Sequence, residues 1–409
     1  MSKSVKKTPG SRLAVVVMFF YFLAFLLLAF RNHSSLGFSL AVAVPVMIFL
    51  GTNFLPRLFP ADRLLLSLTN FLCAMGILLL YDTNPAYARQ QAVSYGIGLV
   101  CMIGCIYLVR LVRSWKNVMR VLIPVSLMLM VLPLIFGKEI NGARNWLSFG
   151  SLSCQPSEIV KLSLVLVLSW YISRRRFLPW FLFSVACLVL LMLQMDLGTA
   201  LLYYGTVLLI YFASSGSLLF TSLGVAGGCG AAWLGYQQFS HVRRRVAIWL
   251  NPSDYENAGY QLMKGFEAIA RGGFFGVGLG LGSPKSIPVY ESDYIFAVLC
   301  EQFGVIFAIC VLLMYIALIW RGTTVARTAR HSFHGLLAMA STVMLGLQTF
   351  VIIAGVLNLI PLTGVTLPFI SYGGTSLLSS MCLVGLIQGV ESLNMDDMNE
   401  DAHLAMLSK

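Results

Sequence analysis

The sequence predicts an all-α polytopic membrane protein of about twelve transmembrane helices, and three observations predict it. Of 409 residues, 58% are hydrophobic and only 11% charged, with a mean hydropathy of +0.83, whereas a soluble domain carries roughly 25% charged residues. Apolar runs of about 20 residues, the length that crosses a bilayer, recur from end to end. The runs are continuous and not alternating, so their backbone polar groups are satisfied within helices and not in a closed barrel.

Twelve spans are expected at 13–30, 38–55, 63–81, 92–112, 118–136, 157–173, 178–195, 197–213, 217–236, 293–319, 335–357 and 369–390. The first run is followed at once by a second with no small-residue cleavage site between them, so it reads as an anchor and not as a removed signal peptide. Orientation follows the Lys and Arg of the short loops. With the N-terminus in the cytoplasm, the inner segments hold Lys3, Lys6, Lys7, Arg12, Arg57, Arg63, Arg110, Arg113, Lys116, Arg120, Arg174, Arg175, Arg176, Arg321, Arg327 and Arg330. Both termini are then cytoplasmic, and 137–156, 237–292 and 358–368 lie outside. The net charge of +12 is a topological and lipid-headgroup signal; a nucleic-acid partner would need a soluble basic face, and none is visible. The nine cysteines fall nearly all inside spans, where Cys behaves as a small hydrophobe. Only Cys154 sits in an outer loop, so no disulfide framework or thiolate metal site is expected.

Three regions follow: 1–61, a cytoplasmic N-terminus with two accessory helices; 62–391, the membrane core; and 392–409, an acidic cytoplasmic tail. Two outer segments depart from the apolar pattern. In 137–158, Gly and Ser punctuation precedes Pro156-Ser157-Glu158, where Ser157 suits an N-cap and Glu158 the positive end of a helix dipole. The loop 237–292 is long for a compact bundle and carries Arg243-Arg244-Arg245, Trp249, Tyr255, Tyr260 and an amphipathic stretch after Tyr260.

Ionisable residues in or beside spans are costly and mark candidate sites: here Glu158, Lys161, Asp196, Asp293 and Glu301. Glu158 and Lys161, spaced i, i+3, suit either a substrate contact or an ion pair. Asp196, before Leu-Gly-Thr, suits a helix N-cap. Asp293 and Glu301, eight residues apart on one expected helix, would share a face and line one cavity with Glu291 at its mouth. Carboxylates opposite a triple Arg suit a membrane-anchored phosphate substrate, cations holding phosphate and a carboxylate moving a proton. The glycines at 276, 278 and 280 lack the strand before and helix after that a dinucleotide site needs. No HExxH, paired-His set or phosphate-binding GK[ST] loop occurs.

In chain order, Gly142-Ala-Arg-Asn-Trp146, Gln155-Pro-Ser-Glu158 with Lys161, Gln194-Met-Asp-Leu-Gly-Thr199, Arg244-Arg-Val, Gly259-Tyr-Gln261, Glu291-Ser-Asp-Tyr-Ile-Phe-Ala297, Glu301-Gln-Phe-Gly304 and Ile360-Pro-Leu-Thr-Gly-Val-Thr-Leu-Pro-Phe-Ile-Ser-Tyr-Gly-Gly-Thr-Ser376 resemble the SEDS proteins of shape, elongation, division and sporulation, that is FtsW, RodA and their sporulation relative. The resemblance covers about 62–391. It implies a ten-helix core in a bacterial plasma membrane, with the first two helices accessory. It implies a peptidoglycan glycosyltransferase that polymerises lipid II from undecaprenyl-pyrophosphate-linked glycan, alongside a class B penicillin-binding protein and with a divalent cation, Mg²⁺ or Mn²⁺. Asp293 takes the position of the family's essential Asp, with Glu291 and Glu301 as its catalytic neighbours. Substrate contact is implied for Arg144, Glu158, Lys161, Arg243, Arg244, Arg245, Lys264, Lys285, Ser371 and Tyr372, and structural roles for Asp196, Pro361, Pro368, Gly373 and Gly374. The chain departs from the family pattern at Val289, where a Glu is usual, at Gln302 for the second Glu of a pair, at Met195 for a Pro, and at Ile352 and Ala354 for an Asn and a Gly. The rival readings are a transporter of lipid-linked sugars, which would show helix breaks in two matching halves, and a non-catalytic scaffold of a cell-wall synthase.

Overall fold

The structure, a computed structural model, describes residues 10–140, 143–149, 152–255 and 258–407. Lys3, Lys6 and Lys7 of the inner-side tally, Gly142 of its segment and Lys409 of the tail lie outside the described residues. Among the described residues, eleven helices are long and apolar enough to cross a membrane, and Phe177–Leu193 is a shorter apolar helix. That twelfth helix has 17 residues, the lower limit for a span.

The chain runs through α1 (Gly10–Asn32), α2 (Ser35–Phe49), a π turn, α3 (Leu55–Leu58), α4 (Arg63–Thr83), α5 (Pro85–Leu111) and α6 (Trp115–Phe136). Three short strands follow, then α7 (Pro156–Ser173), α8 (Phe177–Leu193), α9 (Leu197–Ser215) and α10 (Leu218–Gln238). The last group is α11 (Ser240–Leu250), α12 (Ala258–Gly272), α13 (Ile295–Thr328), α14 (Ser332–Val356) and α15 (Gly374–Leu407). The centre is α4, α7, α14 and α15, the spanning helices with the largest buried shares. Gly235 is the sole buried residue of α10, which faces outward along its length.

Helix ends follow local chemistry. Asp62 caps α4, its carboxylate accepting from the Leu64 and Leu65 N–H groups at 2.9 and 3.2 Å. Asn84 accepts from Ala86 N–H at 3.0 Å and Pro85 takes the first helical position, so α5 starts before the expected 92. The polar run Arg89-Gln90-Gln91 had concealed that first turn from hydropathy. At the face opposite the long loop, Arg321 bridges the Asp62 carboxylate of α4 and, at 3.6 Å, Glu391 of α15. Arg110 of α5 pairs with Asp396 at 3.0 Å, so the acidic tail continues α15 as a helix.

Three expectations for the loop face are corrected. The segment 137–158 forms an antiparallel sheet, β1 (Lys138–Ile140), β2 (Ala143–Phe149) and β3 (Leu152–Cys154), with Lys138 opposite Trp146 and Ser148 opposite Ser153. The N-cap of α7 is Gln155 and not Ser157, because Pro156 occupies the first helical position. Asp293 precedes α13, which is also not one continuous helix: at Gly304, φ 82° and ψ 167° break it. The broken turn is filled by another loop, Val277 N–H donating to Glu301 C=O at 2.9 Å, Gly278 N–H to Gln302 C=O at 3.0 Å, and Val305 N–H to Gly273 C=O at 2.9 Å. Such backbone survives at membrane depth because protein satisfies it. A Cβ at position 304 would lie 2.3 Å from the Phe274 carbonyl oxygen, so glycine is required there.

Candidate active site

The loop face holds a cavity of about 250 Å³ whose wall includes Arg245, Trp249, Gln261, Asp293, Asn358 and Gly364. Helix α11 delivers Arg245. Consecutive residues on a helix are about 100° apart, so the triple Arg divides: Arg245 turns inward, and Arg243 and Arg244 are exposed. One Nη of Arg245 donates to the Thr363 carbonyl at 3.3 Å. Burial lowers the Arg245 pKa, opposed by the negative charges of Asp196 and Asp293. Asp196 caps α9 through Thr199 N–H at 3.1 Å and accepts from Asn145 at 3.0 Å and Gln155 at 2.9 Å.

Asp293 is set by a tight turn and by the loop before α15. Ser292 and Asp293 N–H both donate to the Val289 carbonyl. The Ser371 hydroxyl donates to the Ser292 carbonyl at 2.5 Å and accepts from Leu367 N–H at 2.9 Å, and Tyr372 N–H donates to the Glu291 carbonyl at 2.8 Å. Ser371 and Tyr372 thus grip the backbone on either side of Ser292, a positioning geometry. The Tyr372 hydroxyl is engaged with Gln90 at 2.6 Å, and its ring stacks on Tyr87. Pro368 accepts from the Tyr315 hydroxyl at 2.5 Å; Pro361 lies in the same loop, and Gly373 and Gly374 lead into α15. The Ser292 hydroxyl donates to one Asp293 oxygen at 2.9 Å. Gly364, at φ 75°, stands beside the other: a Cβ there would lie 3.9 Å from it. Burial lifts the Asp293 pKa to about 6 against the lowering effects of the Ser292 hydrogen bond and Arg245, with Glu291 adding a smaller upward push.

Several expected members stand elsewhere. Glu301 does not line this cavity, because Asp293 is outside α13 and the two share no helix face. Its carboxylate is buried against Arg271 at 3.0 Å and Ser283 N–H at 3.0 Å. Lys264 is half-buried and bonded to Glu267 at 2.7 Å. Lys285 is exposed in the loop 284–286, and Arg144 is exposed on β2. Glu158 and Lys161 form a buried pair at 2.7 Å, sealed by Ser379 at 2.6 Å and Gln348 at 2.8 Å. Gln348 continues to the Thr366 carbonyl at 2.9 Å, so the pair buttresses the 363–366 cavity wall from within the bundle. Lys161→Met is therefore expected to cost about 3–5 kcal/mol by leaving Glu158 buried and unpaired. Thermal unfolding in detergent checks this, with Lys161→Met plus Glu158→Leu expected to recover most of the loss.

Residues to which the sequence reading gave no role complete the wall. Trp249 Nε1 donates to the Asn358 carbonyl at 2.9 Å, and Asn358 Nδ2 returns a bond to the Trp249 carbonyl at 3.2 Å. Gln261 donates to the Pro288 carbonyl at 2.7 Å. Gln261 and Gly364 lay within quoted segments, whereas Asn358 carried no local signal.

Comparison with known proteins decides the family. A family profile described as cell cycle protein, spanning FtsW, RodA and SpoVE, matches residues 64–395. The chain belongs to the FtsW/RodA/SpoVE family. Stage V sporulation protein E of Bacillus subtilis is 31% identical over 357 residues, covering 80% of this chain and 96% of its own length. A probable peptidoglycan glycosyltransferase FtsW of Halorhodospira halophila is 37% identical over 294 residues, covering 67% and 74%. Peptidoglycan glycosyltransferase RodA of Mycobacterium leprae is 32% identical over 61% of this chain and 58% of its own. Among solved structures, a chain of a peptidoglycan synthase complex that coordinates polymerization and crosslinking matches with TM-score 0.70 and 28% identity, over 82% of this chain and 98% of that one. Thermus thermophilus RodA matches with TM-score 0.61 and 26% identity over the same shares.

Two departures from the FtsW/RodA/SpoVE pattern have backbone consequences. Met195 is at φ 59°, a conformation proline cannot adopt. Val289 is at φ 54°, where a β-branched residue is strained by about 1–3 kcal/mol, and this is the residue whose carbonyl anchors the Asp293 turn.

Proposed function

We propose that this family member, a peptidoglycan glycosyltransferase, polymerises lipid II with Asp293 as general base and Arg245 as the cation beside the leaving pyrophosphate. The observation that carries the reading is one cavity holding a carboxylate with pKa about 6 and a half-buried guanidinium. A base poised near neutral pH suits deprotonation of a hydroxyl. The sugar hydroxyl of lipid II forms the new bond to the anomeric carbon, its proton passes to Asp293, and the bond from that carbon to the undecaprenyl pyrophosphate oxygen breaks with inversion. Charge on the departing pyrophosphate is met by Arg245. The lipid tails rest against the spans.

A divalent cation, Mg²⁺ or Mn²⁺, belongs to the proposal. Among the described residues no three His, Cys, Asp or Glu side chains converge, so those residues offer no all-protein cage. Mg²⁺ is ordinarily held by one or two carboxylates plus substrate phosphates, a donor set that Glu291 with the pyrophosphate would satisfy while Asp293 stays available as the base. The ion would neutralise charge on the pyrophosphate. A class B penicillin-binding protein is the proposed partner, supported by the likeness to a synthase complex.

The active site is proposed to face outward, on the side away from both termini. Impermeant labelling of intact cells at Ser253→Cys, an exposed position, tests this, and labelling at Ser332→Cys instead would invert it. The transporter reading draws on the break at Gly304, but no other spanning helix among the described residues contains a non-helical residue to pair with it. Purified chain given lipid II, a divalent ion and no other transferase is expected to make polymer, and EDTA to stop it. Lipid movement across vesicles without polymer would support a transporter, and neither activity would support a scaffold.

A further inference from the structure

The segment from Ser283 to Glu301 is a closed loop with Asp293 near its middle. Its neck is tied by Ser283 N–H donating to Glu301 Oε1 at 3.0 Å, between residues 18 apart in sequence. Arg271 pairs with the same oxygen. Just before the neck, Gly280 sits at φ 75°, and its carbonyl accepts from Arg31 Nη1 at 2.6 Å. Just after it, Gln302 donates to Asp82 at 2.7 Å. The site is too tight for a side chain: a Cβ on Gly280 would lie 2.3 Å from Arg31 Nη1 and 2.8 Å from Asp82 Oδ1.

Arg31 ends α1, in the part of the chain that precedes the family match at residue 64. That helix pair is stitched into the core elsewhere too. The Tyr21 hydroxyl donates to the Phe71 carbonyl at 2.8 Å. Asn70 donates to Thr52 at 2.9 Å and accepts from Tyr95 at 2.8 Å. Tyr21, Phe25, Leu28, Val44 and Ile48 are fully or almost fully buried. An appendage would leave α4 satisfied without it; this one supplies polar partners that α4 needs.

We propose that the N-terminal helix pair belongs to the catalytic unit and that Arg31 is a positioning residue, clamping the neck of the loop that carries Asp293. This rests on the reading of Asp293 as the base. Glu301 then acts by closing the neck, which accounts for its burial away from the cavity. A charge-assisted hydrogen bond holds the neck, and a displacement of about 1 Å at a reacting group can cost about 100-fold in rate.

The test uses the full chain in detergent with Arg31→Gln, Arg31→Lys and Gly280→Ala, read by amide hydrogen exchange and by lipid II polymerisation. Arg31→Gln is expected to speed exchange across 277–292 about 10- to 100-fold while exchange in α14 and α15 stays unchanged. It should lower kcat at least tenfold with KM for lipid II nearly unchanged, and Arg31→Lys should restore part of both. Gly280→Ala, which keeps the helix pair and pushes a methyl group onto Arg31 and Asp82, should give the same local exchange pattern. Unchanged exchange across 277–292 in Arg31→Gln overturns the clamp. Faster exchange with unchanged kcat overturns the positioning role. A wild-type chain that makes no polymer removes the reading of Asp293, while the exchange data still judge the clamp.

Discussion

Asp293→Asn is expected to lower glycan polymerisation by about 10² to 10⁴, the contribution of a general base, with folding and partner binding unchanged. The substitution separates chemistry from structure cleanly because the carboxylate caps no helix: the N-cap of α13 is Tyr294, without a side-chain cap bond. Asn preserves the Ser292 hydroxyl contact made by one Asp293 oxygen, and the amide cannot take up the proton. The wild-type pH profile should agree. A base must be ionised, so the rate is at its plateau above a pKa of about 6 and falls as the pH drops through that value. Glu291→Gln removes a like charge, stabilises ionised Asp293 and should move the acid limb to lower pH. Near-normal synthesis by Asp293→Asn in a single-enzyme lipid II assay would sink the mechanism.

Arg245→Gln is expected to cost about 10² to 10³ in kcat, the range for loss of one group aimed at developing negative charge, whereas Arg243→Gln and Arg244→Gln should change turnover less than about threefold. The asymmetry follows from helix geometry, which turns one cation of three into the cavity. The exposed pair suits anionic headgroups, worth about 1 kcal/mol per cation near a charged surface, so any effect of those two should vanish in neutral micelles. Arg245→Gln carries a second signature. Its positive charge lowers the Asp293 pKa, so its removal should shift the acid limb upward, opposite to Glu291→Gln. Equal losses for all three arginines in neutral detergent would show that the charge of the run matters and not the inward placement of Arg245.

The fold class and the family were legible in the sequence because each is written locally. A helix in a bilayer must be apolar along its whole length, so hydropathy registers α1, α4, α6 and α9 within a few residues. The order of short polar segments between spans marks the family without any knowledge of packing. What those segments touch was not legible. Glu301 sits eight residues after Asp293, and helical periodicity put them on one face. The turn at Val289 and the break at Gly304 sent them to different sites, because the backbone there is satisfied by residues 273–278 and not by its own helix. Lys161 and Arg245 are both cations near carboxylates in sequence terms, yet one is sealed between α7 and α14 and the other lines a cavity. Arg31 lies 249 residues from Gly280, with no pattern linking them. The sequence by itself determined which residues are polar where polarity is costly; only the tertiary structure decided that Asp293 lines the cavity while Glu301 spends one oxygen on holding a loop, since that depends on partners far apart in the chain.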